Sequence, residues 1–203
     1  MAINPSIQPL ALARSMGNTF DNLGIEWVLG GSLASSIAGE PRATMDIDMA
    51  VRMGRADVDA FVEAVQSEYF VSDTMIFRAI EHSSSFNLLH SQSILKIDVF
   101  VLGDSPLDRH QMQRRQLVTV DIGEPVELWV GSIEDQILRK LDWFRQGGEV
   151  SDRQWRDIIG IITVQQARID HAYLQMAAAE SDLVSLLLRA VQDSGGRPDL
   201  RLE

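Results

Sequence analysis

Residues 26–51, EWVLGGSLASSIAGEPRATMDIDMAV, constrain this chain more than any other stretch. They open on an apolar run, Trp27-Val28-Leu29, with the length and content of a buried strand. Gly30-Gly31-Ser32 then leads into a small-residue segment, residues 33–38, that suits a helix. A turn at Gly39 and Pro41 precedes a second strand, Asp46-Ile47-Asp48-Met49-Ala50-Val51. Strand side chains alternate between faces, so Asp46 and Asp48 share one face while Ile47 and Met49 share the other. Two carboxylates at the rim of a glycine-led turn repel unless something positive lies between them. A divalent cation carrying phosphate meets that need.

The rest of the chain supplies an α/β frame and then a helical part. Leu10, Leu12, Met16, Phe20 and Leu23 fall near helical spacing over residues 8–23, and Gly24 ends that helix. Val58, Phe61, Val62 and Val65 mark an amphipathic helix over 55–69. Residues 70–81 hold a strand end and a short helix starting near Ser72-Asp73, and residues 86–90 read as a strand. The run ILKIDVFVL, residues 94–102, is a stronger strand, rich in β-branched and aromatic residues. A short helix is expected over 106–115, then two strands, 117–121 and 126–130, joined across Gly123-Glu124-Pro125. Ser132-Ile133-Glu134-Asp135 has the pattern of a capping box. Behind it Ile133, Ile137, Leu138, Leu141 and Phe144 line one helical face, closed by Gly147-Gly148. Further helices are expected over 151–165, 171–179 and 182–191. The expected organisation is an α/β core over 1–130, a helical part over 131–193 and a flexible polar tail over 194–203. Met45, Met49 and Met53 read as core filling, and the four tryptophans as core or interface anchors.

Composition narrows the function classes. The 203 residues include no cysteine, which excludes disulfides and thiolate metal sites and fits a reducing, cytoplasmic setting. No apolar run approaches the roughly 20 residues of a membrane span, and the N-terminus lacks a secretory layout. A formal charge of −11 argues against a large surface for duplex DNA and leaves room for a local basic cleft. The four histidines have no ligand spacing and read as structural or surface residues. The Asp-rich strand lacks the glycine-centred loop and closing glutamate of an EF-hand, so a structural calcium site is disfavoured.

Gly30-Gly31-Ser32 followed after thirteen residues by Asp46-Ile47-Asp48 resembles the signature of the nucleotidyltransferase superfamily with the DNA polymerase beta-like fold. That family takes a third carboxylate from a later strand, and Lys96-Ile97-Asp98-Val99 matches it, with Asp98 as the acid. The fuller string, with Arg42-x-Thr44-x-Asp46-x-Asp48, is similar to a bacterial branch that includes AbiEii-type toxins and small relatives. There a glutamate-aspartate pair starts a lysine-bearing helix, here Glu134-Asp135 and Lys140, and a further helix carries an aspartate, here Asp157. The resemblance spans roughly residues 25–160. It implies an α+β fold: a nucleotidyltransferase-type mixed β-sheet flanked by helices, followed by a C-terminal helical part.

It also implies a reaction. A nucleoside triphosphate (NTP) would lose pyrophosphate on in-line attack at its α-phosphorus, with two Mg²⁺ ions stabilising the attacking and leaving oxygens. Asp46 and Asp48 would hold both ions. Asp98 would complete the ion nearer the attacking hydroxyl and help to deprotonate it. Ser32 and the backbone around Gly30 and Gly31 would bind phosphate oxygens, since a glycine turn opening a helix presents unsatisfied N–H groups. Lys140 and Arg42 are the further cations expected to reach the triphosphate. Asp157 enters, by resemblance only, as a base or orienting group. The acceptor stays open between a tRNA 3′ end, a protein hydroxyl and a small molecule such as an aminoglycoside. The toxin-like branch adds a possible cognate antitoxin. Each residue also has a plain structural reading: Asp46 and Asp48 as a solvated strand face, Asp98 paired with an arginine, Lys140 as a surface lysine, and Asp157 as a partner of Arg153 or Arg156 at helical spacing. The alternative function is a non-catalytic nucleotide-binding or regulatory module of the same fold.

Overall fold

The computed structural model describes residues 7–37, 44–93 and 95–195. In chain order they form α1 (Ile7–Asn22), β1 (Glu26–Leu29), α2 (Gly31–Ile37), β2 (Ile47–Arg52), α3 (Val58–Val65), β3 (Tyr69–Phe70), α4 (Asp73–Glu81), β4 (Ser85–His90) and β5 (Lys96–Val101). Then come α5 (Pro106–Gln113), β6 (Gln116–Asp121), β7 (Pro125–Val130), α6 (Ile133–Gln146), α7 (Asp152–Gln165), α8 (His171–Glu180) and α9 (Val184–Asp193). Local chemistry sets the helix starts. The side chains of Ser72, Ser105, Ser132, Ser151 and Asp170 each accept a hydrogen bond from a backbone N–H of the first turn. Each such cap is worth about 1 kcal/mol against alanine. No helix among the described residues is long and apolar enough to cross a membrane.

The described residues fall into two units. The first takes those of Met1–Ala34, Arg42–Asp104 and Arg115–Gly131, and the second those of Ser35–Pro41, Ser105–Arg114 and Ser132–Glu203. The first holds a 7-stranded mixed sheet in the order β3-β4-β5-β2-β1-β7-β6. β2 runs antiparallel to β1 and parallel to β5, and β1 runs parallel to β7. The remaining neighbours, β3–β4, β4–β5 and β6–β7, are antiparallel. Ile47, Met49 and Val51 on β2 and Ile97, Val99 and Val101 on β5 are buried on one sheet face. Helices cover the sheet through an aromatic stack. Phe20 of α1 lies parallel to Phe61 of α3 at 5.4 Å, and Phe61 meets Phe86 of β4 edge-on at 6.0 Å. Trp27 is buried against α1, where Gly17 leaves room for its ring and Asp21 accepts from its Nε1 at 2.8 Å. Burying each such side chain stabilises by about 1.5–3 kcal/mol.

The second unit is a helical assembly with its own core. Ile137, Leu138, Leu141 and Phe144 of α6, Ile158 and Ile161 of α7, Leu174 of α8 and Leu187 of α9 pack together. Leu107 joins them from α5. Trp155 lies half-buried against Phe144, ring centroids 4.9 Å apart, and donates from Nε1 to Asp193.

The α+β architecture expected from the sequence is the one observed, and local expectations differ at a few points. β2 starts at Ile47, so Asp46 precedes the strand. Met45 is 54% exposed and is not core filling, unlike Met49 and Met53. β2 pairs with β5 from Ile47 and with β1 from Met49, which leaves Met45 ahead of any sheet face to pack on. α2 starts on the glycine turn itself, at Gly31, and not at Leu33. The helix expected over 55–69 divides into a 3-10 turn (Arg55–Asp57), α3 and β3. The expected turn at Gly39 and Pro41, Arg42, Ile94 and most of the tail lie outside the described residues.

Candidate functional site

The acid pair of the first unit is set by strand register. Asp48 of β2 and Asp98 of β5 are direct partners in a parallel pairing that continues through Ile47↔Ile97, Met49↔Val99 and Val51↔Val101. Neighbouring strands lie about 4.8 Å apart, and residues directly across point to the same face. The two carboxylates therefore share the face opposite the buried Ile47, Met49, Ile97 and Val99. A slip of one residue would drive them into the core, so the apolar alternation fixes the register.

Backbone geometry brings the glycine turn onto the same acid. The N–H of Gly30 donates to the Asp48 carbonyl at 2.8 Å. Gly31 has φ +61, a conformation that favours glycine. A Cβ on Gly31 would fall 2.6 Å from Cγ of Asp48 and 2.9 Å from its Cβ, so the Asp48 carboxylate fills the space a side chain would need. Asp46 is exposed just ahead of β2, with its N–H bonded to Oγ1 of the buried Thr44 at 3.3 Å.

A cation stands in this acid field. Lys96 precedes Asp98 by two residues on β5, on the same face, and its Nζ lies 2.7 Å from Asp98 Oδ2. The hydrogen bond to Asp98 raises the lysine's pKa above the ordinary value, and the charges of Asp98, Asp46 and Asp48 add to that effect against a smaller opposing cost of burial. The sequence reading passed over Lys96, although strand alternation puts it beside Asp98.

The donor set fits Mg²⁺. Asp48 and Asp98 are hard carboxylate oxygens side by side on fixed strands, and an ammonium group is already drawn to them. Among the described residues no three His, Cys, Asp or Glu side chains form a ready-made metal cage. Mg²⁺ typically takes one or two carboxylates and completes its shell with water and substrate phosphate, so an open pair suits it.

In the second unit, Lys140 of α6 and Asp157 of α7 form an ion pair at 3.7 Å, both largely shielded from solvent. Helical spacing alone offers Arg153 or Arg156 as partners for Asp157. The glutamate-aspartate pair at the start of α6 sits in a buried polar network. Asp135 accepts from Tyr173 Oη at 2.6 Å and from Ser132 Oγ at 2.8 Å. Glu134 accepts from the N–H of Asp170 and pairs with Arg114, whose guanidinium lies 3.6 Å from the Tyr173 ring centre. Burial pushes the Asp135 carboxyl above the usual carboxylate range, and burial followed by the Asp135 contact pushes the Tyr173 phenol up. The sequence marked Glu134 and Asp135 but not their partners, Tyr173 of α8 and Arg114 just past the end of α5.

No protein-family model and no curated protein matches the chain. Solved structures do match. An antigenic nucleotidyltransferase-like protein from Paracoccidioides brasiliensis aligns with TM-score 0.54 and 18% identity, over 95% of this chain and 96% of that one. The antibiotic-resistance factor ANT(2'')-Ia aligns with TM-score 0.50 and 13% identity, over 94% of this chain and 99% of that one. At such identities the likeness concerns the fold, and the fold is nucleotidyltransferase-type: a mixed sheet flanked by helices.

Proposed function

We propose that the chain is a Mg²⁺-dependent nucleotidyltransferase that moves a nucleotidyl group from an NTP to a hydroxyl acceptor. The observation that carries this reading is the Asp48↔Asp98 register, with Gly31 held against Asp48. The nucleotidyltransferase-type fold supports it. Asp48 and Asp98, with Asp46, would hold the metal, which when bound neutralises phosphate charge and steadies the departing pyrophosphate. The new bond joins the acceptor oxygen to the α-phosphorus, and the bond to the β-phosphate oxygen breaks with its electron pair leaving on pyrophosphate. Asp98 receives the acceptor's proton in this reading. Gly30, Gly31 and Ser32 serve as phosphate-binding residues. The resemblance adds Arg42, Lys140 and Asp157 as further nucleotide-binding or catalytic residues. For the acceptor, the toxin-like branch suggests tRNA or a protein, with a cognate antitoxin as a candidate partner, while the antibiotic-resistance neighbour suggests a small molecule.

One observation favours a second reading, a non-catalytic nucleotide-binding module: the Asp98 carboxylate is already paired with Lys96. Incubation with each α-labelled NTP, Mg²⁺ and a total cell extract separates the two. Transfer of label to tRNA, to a protein band or to a small-molecule fraction establishes the enzyme and its acceptor class. Nucleotide binding without transfer to any fraction establishes the module.

A further inference from the structure

We propose that Lys96 is a built-in counter-cation of the acid face, holding Asp98 while the divalent cation is away and giving it up when that cation arrives. The inference rests on the metal-binding reading of Asp48 and Asp98. Three carboxylates with no cation among them would repel and weaken the fold around β2 and β5. Lys96 meets that need from within the chain. Its Nζ is 2.7 Å from Asp98 Oδ2, and the charges of Asp46 and Asp48 also act on it. Its backbone sits in β5, held between β4 and β2, while its side chain is 47% exposed. A flexible four-carbon stem on a fixed strand can leave Asp98 by side-chain rotation alone. The ammonium and the divalent cation thus compete for the same carboxylate, and a single positive charge loses to a double one once enough metal is present.

This competition has a definite sign. Mn²⁺ binding to the nucleotide-free full chain, followed by electron paramagnetic resonance, tests it in wild type, Lys96→Met, Lys96→Gln and Lys96→Arg. Circular dichroism checks that each variant is folded. Removing the charge should tighten Mn²⁺ binding about tenfold, the effect of one unit charge a few ångströms from a divalent ion in a water-like dielectric. Lys96→Arg, which keeps the charge, should stay close to wild type. Met and Gln variants should also melt at lower temperature without metal and recover when Mn²⁺ is added. Unchanged or weaker Mn²⁺ binding in folded Met or Gln variants overturns the counter-cation role and leaves the metal reading standing. A folded wild type that takes up no Mn²⁺ at millimolar concentration overturns both.

Discussion

The Asp48 carboxylate occupies the space that a side chain on Gly31 would need. A Cβ there would lie 2.6 Å from Cγ of Asp48, and Gly31 has φ +61. The neighbouring N–H of Gly30 is bonded to the Asp48 carbonyl. The glycine turn and the acid strand are thus built as one piece, and a change in either is felt by the other.

Gly31→Ala should cost about 1–3 kcal/mol of stability, from backbone strain together with displacement of Asp48. Gly30→Ala should cost less than about 1 kcal/mol, because the nearest atom to a Cβ there is the Asp48 carbonyl oxygen at an ordinary 3.8 Å. Urea unfolding of both variants measures the difference. Equal losses would mean that Gly31 is not a steric requirement.

Tyr69 gives the first unit an alkaline limit. Its hydroxyl is buried with no hydrogen-bond partner among the described residues, and burial pushes its pKa up to about 12. The folded state therefore keeps the phenol proton after the unfolded state releases it near pH 10. Stability from this group is intact below about pH 10 and falls as pH rises from about 10 to about 12, by on the order of 2 kcal/mol. Tyr69→Phe should flatten that part of the pH–stability curve. It should also match or exceed wild-type stability at pH 8, since it removes an unpaired buried hydroxyl. A steep loss retained in the variant would assign the limit to other groups.

In the helical unit, Tyr173→Phe removes the shortest hydrogen bond to Asp135. The buried carboxylate then keeps the Ser132 hydroxyl but loses its closest donor, and about 1–3 kcal/mol should be lost at pH 7. Asp135 is raised by burial above the ordinary carboxylate value, so the folded state binds its proton more tightly than the unfolded state does. Its contribution thus declines as pH rises from the ordinary carboxylate value through the raised one. The tyrosine contact opposes the raise, and its loss should lift the value further. The variant's deficit should therefore shrink towards pH 4. Thermal melts across pH 4–8 read this directly, and a deficit independent of pH would contradict it.

Local periodicity carried the sequence reading a long way. Alternation marked a strand with Asp46 and Asp48 on one face, β-branched and aromatic content marked β5, and helical spacing from Ile137 to Phe144 marked α6. Partnership between distant segments was less legible. That β5 lies parallel to β2, with Asp98 directly beside Asp48, depends on how seven strands pack, and the resemblance supplied Asp98 where periodicity did not. Lys140 pairs with Asp157 across two helices, while helical spacing alone offered Arg153 and Arg156. Met45 reads as apolar and therefore as core, yet it precedes the first strand pair and meets solvent. Lys96 was legible in principle, since two-residue alternation sets it on Asp98's face.

Asp48 and Asp98 as a metal–nucleotide site is the central claim, and equilibrium binding tests it most directly. ATP, GTP, CTP and UTP are titrated by calorimetry into wild type, Asp48→Asn and Asp98→Asn, each with Mg²⁺ and with EDTA. The account predicts that at least one nucleotide binds wild type only with Mg²⁺, and that both variants weaken that binding at least about tenfold while remaining folded. Nucleotide binding that is indifferent to Mg²⁺ and to both substitutions, or no binding of any nucleotide to folded wild type, would contradict it.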